Sequence, residues 1–209
     1  MPKNDDKPKL AIFDLGNVIF NIDWEPMFEA WSLYSGVPAK MLKEKGKSDE
    51  KIEQFERNDI STEDFLRHIN TMLGIELSHD EFCNGWNAIF MEANEEVCSL
   101  LPGLKNRMQL VAYTNTNEIH AAVWSERYAD ILQHFDEIFI SSKIGLRKPE
   151  PEGFQHVLKQ RGVAAYECVF FDDFEANIKG AEQLGIKAVL VDTPSKVRQA
   201  LRQMGIDDF

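Results

Sequence analysis

Positive charge is scarce in this sequence. Its 23 Lys and Arg stand against 35 Asp and Glu, a net charge of -12. That balance excludes general nucleic-acid binding, which needs a basic footprint, and makes anionic membrane surfaces poor partners. An anionic small molecule stays admissible, because a lysine, a helix N-terminus and a metal can reverse the potential inside one cleft. Cysteine is sparse as well. Cys83, Cys98 and Cys168 are odd in number and lack metal-ligand spacing, so they read as reduced, buried thiols rather than a disulfide framework. No apolar run approaches the ~20 residues of a membrane span, and the opening "MPKNDDKP" carries no signal-peptide core. A cytoplasmic protein is expected. Long charge runs, low-complexity tracts and internal repeats are missing too, which argues against extended disorder.

The 209 residues, 44% of them hydrophobic, are enough for one large domain or a core with one inserted module. Five short apolar runs read as buried parallel strands: "KLAIF", "QLVAY", "EIFIS", "CVFFD" and "KAVLV". Their near-continuous hydrophobicity suits a sheet covered on both faces. Helical patterns lie between most of them, such as "PEGFQHVLKQRG" and "EANIKGAEQLG", each closed by glycine. The alternation predicts right-handed crossovers and a doubly wound α/β core. One interval breaks the rhythm. Between the first two runs, residues 22–92 are too many for a crossover and read as helices, among them "STEDFLRHINTMLG" and "SHDEFCNGWNAIFME" with N-capping starts. The expected division is a core of residues 1–21 and 93–209 with a helical insertion, 22–92.

In open parallel sheets ligands bind at the carboxyl ends of the strands, and four such ends carry complementary polar residues. Asp14 follows "KLAIF", where a carboxylate can act as a nucleophile; alone, it reads as a helix cap. Thr114 and Asn115 follow "QLVAY", offering a hydroxyl and N–H groups to an anion or, more simply, a cap. Lys148, in "GLRKPEP", can neutralise a phosphate and steady Asp14. Asp172 and Asp173 close "CVFFD". Carboxylates about 4 Å apart repel by roughly 4 kcal/mol per pair at an effective dielectric near 20, a penalty that a divalent cation removes. All-oxygen ligands point to Mg²⁺. Each site alone is ordinary; the ordered set is not.

With those residues in place, "FDLGNV", "YTNTN", "RKPEP" and "FFDD" resemble the four motifs of the haloacid dehalogenase superfamily of phosphatases, over essentially the whole chain. The insertion resembles that superfamily's type 1 helical cap. More narrowly, "FDLGNVIFNIDW" and "VFFDDFEANIKGAEQLGI" are similar to bacterial α-D-glucose-1-phosphate phosphatases. The resemblance implies Asp14 as nucleophile and Thr114, Asn115 and Lys148 around the phosphate. It implies Mg²⁺ held by Asp14, the Gly16 carbonyl, Asp172 and Asp173. It also implies the strand order 3-2-1-4-5, counting the five runs along the chain.

Gly16 departs from the wider pattern. Most of these phosphatases carry there a second aspartate that protonates the leaving oxygen, a contribution typically worth 10²–10⁴-fold. A sugar 1-phosphate, whose anomeric oxygen leaves readily, is the expected substrate; Asp23 or Asn17 are stand-in donors. Two alternatives remain: a metal-independent 2-haloacid dehalogenase, against which the Asp172–Asp173 pair argues, and a sugar-phosphate binder that has lost its chemistry. In the insertion, Trp31, Phe55, Phe65, Trp86 and Phe90 read as cap core, and Trp24 as the residue facing the cleft. His120 and Trp124 read as packing beside the leaving-group pocket, Glu56 and Arg57 as an exposed helix face within reach of a substrate.

Overall fold

The computed structural model describes residues 7–46 and 49–206. The first six residues of the opening stretch lie outside them. In chain order the strands are β1 (Leu10–Phe13), β2 (Phe20–Ile22), β3 (Phe90–Ala93), β4 (Gln109–Thr114), β5 (Glu137–Ile140), β6 (Cys168–Asp172) and β7 (Lys187–Leu190). Five of them form one parallel sheet in the order β5-β4-β1-β6-β7, as expected. β1 is central and wholly buried. Its pleat sends Leu10 and Ile12 into one hydrophobic core and Ala11 and Phe13 into the other, which is why all four positions are apolar.

Between β2 and β3 lie five helices: α1 (Glu25–Ser35), α2 (Ala39–Lys45), α3 (Glu50–Glu56), α4 (Thr62–Leu73) and α5 (His79–Trp86). The N-caps read in the sequence are present. The Ser61 hydroxyl accepts from Asp64 N–H, and Ser78 and Glu81 form a reciprocal capping box. Trp31, Phe65, Phe82 and Trp86 pack ring on ring to make the interior of this cap.

Two expectations need correction. The helix read into "NAIFME" stops at Trp86; Asn87–Ile89 make one 3₁₀ turn and Phe90–Ala93 become β3. β3 pairs antiparallel with β2, Phe20 opposite Ala93 and Ile22 opposite Phe90. A strand that short has too few residues to show a period, and its partner is remote in sequence. The expectation of buried thiols holds for Cys168 alone, because Cys83 and Cys98 are half-buried; all three are free. No helix among the described residues is long and apolar enough to cross a membrane.

Candidate active site

Asp14 leaves the end of β1 while its N–H still donates to the Phe171 carbonyl of β6 at 2.8 Å. The carboxylate is therefore fixed by the sheet at its C-terminal edge. Lys148 lies beneath it, 1% exposed. Its Nζ donates to Asp14 Oδ1 and to Asp172 Oδ2, each at 2.7 Å, and stands 5.6 and 5.5 Å from the ring centroids of Tyr113 and Phe170. A buried ammonium needs such a setting, with charge-assisted bonds on one side and aromatic faces on the other.

The chain around Lys148 is held just as firmly. Asn115 Nδ2 donates to the Lys148 carbonyl and Lys148 N–H donates to Asn115 Oδ1, both at 2.8 Å. The Asn115 side chain is thus engaged in orienting Lys148, which leaves its backbone N–H, the group read for an anion, free to meet one. Gly180, in the helix Glu175–Gln183, closes the other side. A Cβ there would lie 2.5 Å from the Pro149 carbonyl oxygen, so this close approach requires glycine. Thr114 ends β4, buried, on the wall of the same cavity as Asp14.

Asp172 is fully buried. It accepts from Phe174 N–H at 2.8 Å and from Asn177 Nδ2 at 3.0 Å. Asp173 Oδ2 accepts from Asn17 Nδ2 at 2.9 Å, and Asn17 takes φ 55° to reach it. One carboxylate oxygen each from Asp14, Asp172 and Asp173 lies within 4.8 Å of the others. Three carboxylates against one ammonium leave two negative charges uncompensated. Burial, followed by the repulsion of Asp172, pushes the Asp14 carboxyl up to about 7, against the pull of Lys148. Burial also raises Asp173, with the Asn17 hydrogen bond opposing. Burial lowers Lys148, but Asp14 and Asp172 outweigh it and keep the ammonium charged. A compact, electron-rich, all-oxygen cluster of this kind fits a hard divalent cation such as Mg²⁺.

The sequence-predicted residues thus converge: Asp14, Gly16, Thr114, Asn115 and Asp173 line one cavity of about 620 Å³, with Lys148 and Asp172 behind Asp14. Residues 8–185 match the model of the haloacid dehalogenase-like hydrolases. The chain belongs to that family. Among curated relatives it is 24% identical over 198 residues to a D-ribitol-5-phosphate phosphatase of Bacteroides thetaiotaomicron, across 92% of this chain and 96% of the other. It is 29% identical over 202 residues to the sesquiterpene phosphatase astK of Aspergillus oryzae, across 94% and 96%. Among solved structures, a family enzyme of Bacteroides thetaiotaomicron in complex with magnesium and inorganic phosphate superposes with a TM-score of 0.74 at 27% identity, covering 88% of this chain and 93% of that one.

Other residues near the cavity of this haloacid dehalogenase-like hydrolase are placed as follows. Asp23 Oδ1 accepts from Glu25 N–H at the start of α1, at 2.9 Å, which caps that helix. Glu56 and Arg57 are not an exposed face: Glu56 accepts from Arg147, and Arg57 Nη1 donates to Glu150 at 2.7 Å, so both tie the cap to the core. His120 and Trp124 do line the cavity. The His120 ring stacks on Trp86 and its Nε2 donates to the Trp86 carbonyl at 2.9 Å, so it is packed as read. Phe174, 61% exposed at the cavity, escaped the sequence reading, because nothing distinguishes it from a buried neighbour of "FFDD". A Cβ at Gly16 would stand 2.7 Å from Ile22 Cδ1, the tip of a half-buried side chain, so a side chain at 16 requires that tip to turn aside.

Proposed function

We propose that this hydrolase is a Mg²⁺-dependent phosphatase that cleaves a small phosphate ester through an aspartyl-phosphate on Asp14. The observation that carries the reading is the buried Lys148 bridging Asp14 and Asp172, with Asp173 beside them, at the foot of the cavity. Asp14 attacks phosphorus; the ester P–O bond breaks and the leaving oxygen takes its electron pair; water then hydrolyses the acyl phosphate and frees Asp14. Lys148 orients Asp14 and offsets charge on the phosphoryl group, while the Thr114 hydroxyl and the Asn115 N–H hold its oxygens. Asp14, the Gly16 carbonyl, Asp172 and Asp173 would hold Mg²⁺, which supplies the positive charge an anionic substrate needs beside these carboxylates.

In this reading residues 22–92 act as the cap over a core of 1–21 and 93–209, excluding water during transfer. Gly16 offers no proton to the leaving oxygen, which favours esters that depart without one. Glucose 1-phosphate, drawn from the sequence likeness, is such an ester; the relatives named above are phosphatases of ribitol 5-phosphate and of a sesquiterpene. Three free thiols suit a cytoplasmic setting, where they stay reduced.

Phosphate release from 4-nitrophenyl phosphate, glucose 1-phosphate and ribitol 5-phosphate, in Mg²⁺ and in EDTA, tests the reading. Release that needs Mg²⁺ and vanishes in Asp14→Asn is expected. Release that survives either change would sink it.

A further inference from the structure

The cavity above Asp14 does not end at the phosphate site. It continues between the cap helices, against Met27, Phe28 and Trp31 of α1, Phe55 of α3 and Ile69 and Leu73 of α4. Its volume, about 620 Å³, falls in the range of roughly 300–1,000 Å³ that encloses a small organic ligand. Two aromatic side chains that also line it, Trp24 and Phe174, are 47% and 61% exposed. Residues of that size gain from being covered by an apolar partner.

Polyol recognition calls for the opposite lining. A sugar hydroxyl buried without a partner is unfavourable, so sugar sites supply polar groups that are free to pair. Here the cap's acidic residues at the cavity, Glu53 and Glu56, are both ion-paired with Arg147. At the core end, Asn177 is bonded to Asp172 and Asn117 to His120. Trp86 Nε1, buried without a hydrogen-bond partner, adds a lone indole donor to a hydrocarbon wall. The part of the cavity between the cap helices is thus lined mainly by hydrocarbon and suits an apolar ligand body.

We propose that the substrate is the phosphate ester of a largely apolar alcohol whose hydrocarbon body occupies the chamber inside the cap. The proposal rests on the phosphatase reading and replaces the sugar with a lipid-like or aromatic leaving group. The reaction is unchanged: the P–O bond to the apolar alcohol breaks, Asp14 takes the phosphoryl group, and the alkoxide or phenoxide is protonated from solvent.

The test compares esters matched in leaving-group type, with Mg²⁺ present. Octyl phosphate is set against ribitol 5-phosphate, both esters of primary alcohols, and 2-naphthyl phosphate against phenyl phosphate. The apolar or larger member of each pair is expected to have the higher kcat/KM, by about tenfold or more, the gain from burying a few CH₂-sized groups. Ile52→Trp and Met72→Trp each narrow the chamber and are expected to shrink those ratios at least about fivefold, mainly through KM. If one fails to fold, the other still reads the effect. Ribitol 5-phosphate preferred over octyl phosphate, or ratios unmoved by both variants, would overturn the apolar class and leave the phosphatase standing. No Mg²⁺-dependent release from any of the four esters would overturn both.

Discussion

Arg147 Nε and Nη2 both donate to one oxygen of Glu56, at 3.1 and 3.0 Å, and so fasten the residue before Lys148 to helix α3 of the cap. Burial is the main reason the Glu56 carboxyl sits above its usual range, with the Arg147 charge opposing. Separating such partly buried partners leaves one charge without its counterpart. A cycle of Arg147→Met, Glu56→Gln and the double variant, read by denaturant unfolding, is expected to give a coupling of about 1–3 kcal/mol. Strict additivity of the two single changes would show the pair to be incidental. The same variants should raise KM for bulky esters, since the cap then closes less tightly.

Gly16→Asp brings a Cβ to 2.7 Å from Ile22 Cδ1. Alone it should destabilise by about 1–3 kcal/mol through overpacking. Combined with Ile22→Ala, which clears the space, it should supply the missing proton donor. Turnover of octyl phosphate is then expected to rise by tenfold or more, within the range of general acid catalysis, while 4-nitrophenyl phosphate changes little. Equal changes for both esters would show that protonation of the leaving group does not limit the rate.

Lys148→Met leaves fully buried Asp172 without its cation, a change worth about 3–5 kcal/mol, and activity should fall beyond detection. The loss of stability should depend on pH. Asp14 is already raised to about 7 with Lys148 opposing, so removing the lysine raises it further. A carboxyl raised in the folded state stabilises below its unfolded pKa, and that stability is lost as pH rises through the folded value. In EDTA, the gap in Tm between wild type and variant should therefore be smaller at pH 4 than at pH 8. A constant gap would contradict the assignment.

His120 is buried neutral. Its Nε2–H donates to the Trp86 carbonyl, its Nδ1 lies 3.3 Å from Asn117 Nδ2, and burial pushes its pKa down to about 4. A depressed folded pKa means stability that is complete above the unfolded value near 6.5 and is lost as pH falls toward 4, by about 3 kcal/mol in all. His120→Gln should be less stable at pH 7 and show a shallower loss between pH 6.5 and 4, seen by urea unfolding at each pH. An unchanged slope would place the acid sensitivity elsewhere.

Most of the sheet was legible because buried parallel strands are written as continuous apolar runs: β1 and β6 are buried at every residue and β4 at all but its first. Asp14, Asp172 and Asp173 stood out as charged residues at the ends of such runs, and Lys148 only through its place in "GLRKPEP" beside them in the ordered set. What could not be read were relationships between distant segments. The Asn115 side chain supports Lys148, Arg147 pairs with Glu56, and β2 finds β3, and each depends on a partner far along the chain. The apolar chamber was hidden for another reason. Met27, Phe28 and Ile69 have the helical spacing of any packed bundle, and spacing does not distinguish a filled interior from a hollow one.

The β2–β3 ribbon joins the cap to the sheet at a single place. Both chain crossings, through Phe20–Ile22 and Phe90–Ala93, lie side by side, at the separation of about 4.5–5.5 Å set by antiparallel pairing. In its covalent path the core therefore asks of whatever lies between them only that it return to where it started. Any unit with neighbouring ends can be grafted there while Asp14, Lys148, Asp172 and Asp173 keep their places on the sheet. The ribbon lets the helical insertion vary in length and shape without moving the strand ends that carry the carboxylates.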